Sequence, residues 1–237
     1  MPSQMQDQLQ ALADPGCKQL LAGISRGIEK ESLRITPEGK LSPTAHPAGL
    51  GSALTHSYIT TDYSEALLEF ITPVSTSVAD SLRMLEDVHS FVYRQLHGEI
   101  LWSASMPCIV AGDEGIPVAQ CGSSNVARMK TVYRYGLGHR YGRLMQAIAG
   151  IHYNFSMPMS FWDYRWQAAG SPGQQRDYIS EQYLGLIRNF RRYSWLLIYL
   201  FGASPAVCNS YLDGRGAQLE DFDDDSSYLP FATSLRM

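Results

Sequence analysis

Gly27-Ile28-Glu29-Lys30-Glu31 sets two carboxylates one residue apart in a stretch that mixes apolar and charged residues. On a β-strand, residues two apart point to the same side, so Glu29 and Glu31 stand about 6 to 7 Å apart on one face. Two such charges repel unless something cationic sits between them. A second acidic group follows in Asp62, Glu65 and Glu69. Glu65 and Glu69 share a face of either a helix or a strand, and Asp62 precedes them in a loop. If the two segments are sheet neighbours, the carboxylates converge. Hard oxygen ligands of this kind suit Mg²⁺ or Mn²⁺, which complete their shells with phosphate oxygens and water. The competing arrangement leaves Glu29 and Glu31 on a solvated face, paired with Lys30, Arg26 and Arg34. Against it, the second acidic group lies among Ala66, Leu67, Leu68 and Phe70, where burial without an ion is costly.

Two further stretches carry candidate chemistry. Ile151-His152-Tyr153-Asn154-Phe155-Ser156-Met157 alternates strictly, placing His152, Asn154 and Ser156 on one face of a strand that Pro158 ends. That face either presents groups to a ligand or holds a satisfied core histidine. Arg128, Lys130, Arg134, Arg140 and Arg143 are interleaved with Tyr133, Tyr135 and Tyr141. This basic stretch either binds carboxylates or phosphates or pairs with the acidic surface. Several familiar sites are excluded. There is no Gly-x-x-x-x-Gly-Lys-Ser/Thr loop, and Gly136, Gly138 and Gly142 have the wrong spacing for a dinucleotide fingerprint. Neither a Gly-x-Ser-x-Gly elbow nor a His-Glu-x-x-His helix is present.

The elements that must position these residues follow from periodicity. Leu9, Leu12, Leu20 and Leu21 around Asp14-Pro15-Gly16 predict a short helix broken by a turn. Gly23 to Thr36 reads as a strand entering a hairpin at Pro37-Glu38-Gly39-Lys40. A loop rich in Pro, Gly, Ser and Thr then feeds β-prone Tyr58-Ile59-Thr60-Thr61, and Glu65 to Pro73 reads as a second strand. Leu82, Leu85, Val88, Val92 and Leu96 recur at helical intervals behind a Ser77 cap. Loops are expected from 98 to 124 and glycine-weakened helical segments from Val126 to Ala149. From 175 to 201 a long helix is expected to turn Ile179, Tyr183, Leu186, Ile187, Phe190 and Leu197 inward, with the Trp195 to Phe201 run buried. The acidic segment Glu220 to Asp225 reads as a solvated loop. No repeat or linker divides the chain, so the expectation is one α+β unit.

Composition bounds the function classes. In 237 residues, 45% of them hydrophobic, there is enough apolar material for a large core. Nineteen Lys and Arg against 23 Asp and Glu give a net charge of −4, which offers no general attraction to nucleic acid or an anionic membrane. The first residues are polar and lack a secretory pattern, so the cytoplasm is the expected location. The longest apolar run falls far short of the roughly 20 residues that cross a bilayer. Cys17, Cys108, Cys121 and Cys208 are scattered, without metal-ligand spacing, and read as free thiols.

Arg26-Gly27-Ile28-Glu29-Lys30-Glu31-Ser32-Leu33-Arg34 resembles the opening signature of proteobacterial glutamate–cysteine ligases. The resemblance continues through Gly51-Ser52-Ala53-Leu54-Thr55-His56, Ile59-Thr60-Thr61-Asp62, Glu65 to Pro73 and Ser105-Met106-Pro107-Cys108. It extends through Gly150 to Ser156, Tyr199 to Pro205 and Tyr228 to Arg236, in the family's order. It implies an α+β fold like that of glutamine synthetase, an antiparallel sheet curved into a funnel with helices outside. It further implies ATP-dependent joining of glutamate to cysteine through a γ-glutamyl phosphate, the first step of glutathione synthesis, with Mg²⁺ or Mn²⁺ as cofactor.

Carried over by position, the resemblance makes Glu29, Glu31, Asp62, Glu69 and His152 metal ligands, with Glu65 less firmly placed. Tyr133, Arg134 and Gln146 would line the cysteine pocket, and Asn154 and Arg236 would lie near glutamate or its phosphorylated form, Arg236 and His152 acting in catalysis. Members of the family are about twice as long, so residues 1–237 read as the amino-terminal portion of a single catalytic domain that acts as a monomer at full length. Two alternatives remain: an inactive fragment or subunit that needs a second chain, and a related carboxylate–amine ligase with another amine acceptor.

Overall fold

The computed structural model describes residues 2–107, 109–202, 205–212 and 218–232. The stretch carrying Glu29 and Glu31 forms β1 (Ser25–Ile35), the central strand of an antiparallel sheet. One edge of β1 pairs with β3 (Leu67–Ile71), which in turn pairs with β2 (Ile59–Thr61). The other edge is shared between β4 (Ile100–Leu101) and β5 (Ile151–Ser156). The expected turn follows β1, with Gly39 at φ 80, a conformation open to glycine, and Thr36 N donating to Lys40 O at 2.8 Å.

The sheet has two unlike faces because its strands alternate. Ile59, Leu68 and Phe70 point to one side and pack with Leu50, Val88, Val92 and Leu96 under α3 (Val78–Tyr93). Ser77 Oγ caps α3 by accepting from Asp80 N at 3.2 Å. The opposite face carries Glu29, Glu31 and Glu69. It becomes apolar toward the end of β1, where Leu33, Ile35 and Leu67 pack with Ala149.

α1 (Pro2–Ala13) and α2 (Pro15–Leu21) are separated at Asp14, whose carboxylate accepts from Gly16 N and Cys17 N and so starts α2. Cys17 packs with Phe161 and Trp162 of α5 (Met159–Ala168) and with Ile179 and Tyr183 of α6 (Gln175–Phe201). Between β4 and β5 lies α4 (Asn125–Tyr141), capped by Ser124 and ended by Gly142 at φ 83. It runs unbroken through Gly136 and Gly138. A second small sheet has the order β6 (Ala206–Cys208), β8 (Ser226–Tyr228), β7 (Glu220–Asp221). The molecule is α+β, an antiparallel sheet with helices, as expected.

Three expectations need correction. α5 was not anticipated, and the segment expected as loops from 98 to 124 contains the short β4. α6 has the expected bounds, but it buries no residue among those described. Ile179 and Tyr183 do pack inward, whereas Leu186, Ile187, Phe190 and Leu197 are exposed, as is the rest of the Trp195 to Phe201 run apart from the half-buried Ile198, with Phe201 79% accessible. The described chain offers these positions nothing to pack against. Cys17, Cys121 and Cys208 are free thiols, and Cys108 lies outside the described residues. Among the described residues no helix is long and apolar enough to cross a membrane.

Candidate functional site

Strand register brings the predicted carboxylates together. Glu31 on β1 stands directly opposite Glu69 on β3, and Glu29 stands opposite His152 on β5. Side chains directly opposite each other on one face are about 5 Å apart at Cβ. Thr60 on β2 pairs with Glu69, and Asp62 follows two residues later, where the chain leaves the sheet. The result is a row across one face, from Asn154 and His152 through Glu29, Glu31 and Glu69 to Asp62.

The row has partners at one end and an excess of charge in its middle. Glu29 accepts from Asn154 Nδ2 at 3.0 Å and faces His152 Nδ1 at 3.3 Å. Glu31 accepts from Gly150 N at 2.7 Å. Among the described residues, neither Glu31, Asp62 nor Glu69 makes an ion pair with Lys or Arg. Burial, followed by the neighbouring Asp62 and Glu31 charges, pushes the Glu69 carboxyl up to about 7. Burial likewise raises Glu31, against the opposing hydrogen bond from Gly150. Among the described residues no three His, Cys, Asp or Glu side chains close on a common point as they stand, since Glu29 and Glu31 are turned toward His152, Asn154 and Gly150. The donor chemistry nevertheless fits a hard divalent cation: carboxylate oxygens on one face with uncompensated negative charge.

A cavity lies at each end of the row. One, of about 330 Å³, is lined by Gly27, Glu29, Thr72, Asn154 and Ser156, among others. The other, of about 350 Å³, is lined by Asp62, Tyr63, Lys130, Tyr133, Arg134, Leu137 and Gln146. All three residues expected in the cysteine pocket therefore share one cavity with an expected metal ligand. Arg134 differs from the expectation in how its guanidinium is engaged. It donates to the backbone carbonyls of Asp62, of Thr61 at 3.1 Å and of Lys130 at 3.0 Å.

Glu65 does not join the row. β3 begins at Leu67, and Glu65 sits in the preceding turn. Its carboxylate accepts from His46 N at 2.9 Å and Gln120 N at 2.7 Å, so it fastens two loops. The other basic residues also separate: Arg143 faces Glu114 at 3.3 Å, and Arg140 lies over the Tyr141 ring. Arg236 lies outside the described residues. The acidic segment at 220–225 is exposed, as expected, but Glu220 and Asp221 pair with β8 as β7 and are not loop. Residue-by-residue reasoning missed Gly150, whose contribution is a backbone amide that no residue type announces. It also missed Tyr63 and Leu137, which line the second cavity.

Comparison with known proteins gives the family. Residues 9–237 match the glutamate–cysteine ligase family. A glutamate–cysteine ligase of Alcanivorax borkumensis is 60% identical over 233 residues, covering 98% of this chain and 44% of that protein. One from Pseudomonas aeruginosa is 59% identical over 218 residues, 92% of this chain and 41% of the relative. Among solved structures, the glutamate–cysteine ligase of Francisella tularensis in complex with AMP superposes with a TM-score of 0.82 at 40% identity, over 90% of this chain and 42% of the other. A bifunctional glutathione synthetase from Pasteurella multocida gives a TM-score of 0.77 at 33% identity, over 87% of this chain and 26% of the other. The chain thus spans less than half the length of these relatives, and it belongs to the glutamate–cysteine ligase family.

Proposed function

We propose that this chain forms part of an enzyme that joins the γ-carboxylate of L-glutamate to the amine of L-cysteine, driven by ATP, as the first step of glutathione synthesis. The observation that carries the reading is the carboxylate row running between two cavities. Glu29, Glu31, Glu69 and Asp62 would hold Mg²⁺ or Mn²⁺, which when bound supplies positive charge against phosphate oxygens during phosphoryl transfer. The AMP bound by the Francisella relative supports a nucleotide in this family's site. The cavity bordered by Glu29 and Asn154 is the natural place for glutamate and the phosphates, because it opens on the start of the row. The cavity of Tyr133, Arg134 and Gln146 would hold the amine acceptor. Lys130 and the two N–H groups that Arg134 keeps free supply positive charge for its carboxylate.

In this scheme the glutamate γ-carboxylate attacks the terminal phosphoryl group of ATP, releasing ADP. The cysteine amine then displaces phosphate from the γ-glutamyl phosphate. Asn154 and His152 orient the Glu29 end of the row. The test uses a chain carrying these residues at the relatives' full length, incubated with ATP, Mg²⁺ and glutamate. ADP release that depends on cysteine is expected, and its absence overturns the reading. Other amines in place of cysteine identify a different acceptor. The 237 residues alone are expected to bind ligands without turnover, because among the described residues no strand pairs with the outer edge of β5 and the row stands open on that side.

A further inference from the structure

We propose that Arg134 is a positioning residue that holds Asp62 at the end of the carboxylate row, in addition to lining the acceptor cavity. The proposal rests on reading Asp62 as part of the metal site. β2 is three residues long and lies at the edge of the sheet, so where it ends at Thr61 its outward carbonyls have no strand to meet. Arg134 meets them. Its Nε donates to Asp62 O and its Nη2 to Thr61 O at 3.1 Å, while Nη1 returns to Lys130 O on its own helix at 3.0 Å. A planar guanidinium satisfies two successive carbonyls on one side while its far side stays fixed to the helix.

The other end of the same segment is fastened separately. Glu65 O accepts from the buried Arg34, the Glu65 carboxylate accepts from His46 N and Gln120 N, and Ser64 Oγ donates to Pro117 O at 2.9 Å. Those bonds fix Ser64 and Glu65, and Ala119 N donating to Tyr63 O at 3.0 Å brings the fastening to the residue that follows Asp62. Arg134 is the side chain that reaches the Asp62 end from outside the sheet. The helix needs the tie as much as the loop does. α4 fully buries Ala127, packs Leu137 and Gly138 against the core around Tyr63 at its far end, and turns Val126, Met129 and Val132 outward, so its first half depends on polar ties. Thr131 Oγ1 donating to Ala119 O at 3.1 Å and the Arg134 bonds join it to the site. Moving α4 therefore moves Asp62, and the acceptor cavity shares one fastening with the metal end of the row.

The test compares the 237-residue chain with its Arg134→Lys variant, using Arg134→Gln as a second replacement if the first does not fold. A lysine is a point donor and cannot reach both carbonyls while tied to Lys130 O. Two readouts are taken without any amino acid or nucleotide present. Amide exchange at Asp62, whose N–H donates to Leu67 O at 3.0 Å, should accelerate at least about tenfold while α3 is unchanged. Mn²⁺ binding, followed by electron paramagnetic resonance, should weaken by about 10- to 100-fold, the usual effect of losing an outer-shell support. Unchanged exchange and unchanged Mn²⁺ binding, with only weakened cysteine binding, would overturn the proposal and leave Arg134 as a substrate contact. Faster exchange in a chain that binds no Mn²⁺ even before substitution upholds the positioning of Asp62 and removes the metal reading instead.

Discussion

Gly138 lies inside α4, where replacing glycine with alanine ordinarily stabilises a helix by about 0.5–1 kcal/mol. Here the opposite is expected. A methyl group on Gly138 would fall well inside van der Waals contact of Tyr63 Oη, within 3.6 Å of Tyr63 Cζ and 3.2 Å of Arg143 Cγ. Arg143 can swing aside, but Tyr63 is 2% exposed and packed with Ile116, Val118 and Leu144, so its ring has nowhere to go. Overpacking a well-filled site costs about 1–3 kcal/mol, which outweighs the helix gain and leaves Gly138→Ala destabilised by about 1–2 kcal/mol. The Tyr63 hydroxyl has no hydrogen-bond partner among the described residues, so Tyr63→Phe should be neutral or stabilising by up to about 1 kcal/mol. Combining the two removes the collision and recovers the helix gain. The double variant should exceed the parent by about 0.5–2 kcal/mol, a coupling of about 1.5–3 kcal/mol. Urea unfolding of the four chains by circular dichroism measures this directly. If Gly138→Ala alone stabilises as much as the pair, Tyr63 is free to move and the seating of α4 against the Asp62 segment has been misjudged.

Two further outcomes follow from groups behind the row. His89 lies edge-on to Phe70, and burial, reinforced by the Lys30 charge, pushes its pKa down to about 4. A histidine depressed in the folded state contributes stability that is complete above its unfolded pKa of about 6.5 and lost as pH falls toward 4. After allowance for solvent screening the loss is about 1–2 kcal/mol, seen as a flatter pH dependence of urea midpoints for His89→Gln between pH 6.5 and 4. Arg34 is fully buried and held by Glu99 at 2.7 Å, so Glu99→Ala leaves an uncompensated charge. About 3 kcal/mol of lost stability is expected by denaturant unfolding, and a loss under about 1 kcal/mol would show that Thr44 and the backbone suffice.

What could be read from the sequence depended on whether the physics was local. Alternation placed Glu29 with Glu31 and His152 with Asn154, because side-chain direction in a strand is set by parity alone. The 27 residues of α6 and the Ser77 cap were equally legible. Glu65 was grouped with Glu69 because an apolar, β-prone stretch gives no sign of where pairing starts, and its carboxylate is held by amides from distant loops. α5 is not legible because Phe161, Trp162, Tyr164 and Trp166 give no clean helical stripe, and Pro158 reads as the end of a strand as readily as the entry to a helix. The pattern of α6 was right about its apolar face, but pattern does not reveal whether anything covers that face. Arg134 was legible as a pocket residue through family resemblance. Its grip on backbone carbonyls was not, since those carbonyls belong to every residue type.

β5 meets β1 along one edge, and among the described residues no strand pairs with the other. All six of its residues are exposed, with Ile151, Tyr153 and Phe155 alternating along one side. A bare, β-prone edge without formal charge apart from a histidine is a template on which a further strand, including the same strand of another molecule, can add. The 237-residue chain is therefore expected to self-associate along that seam as its concentration rises, which light scattering over a dilution series measures.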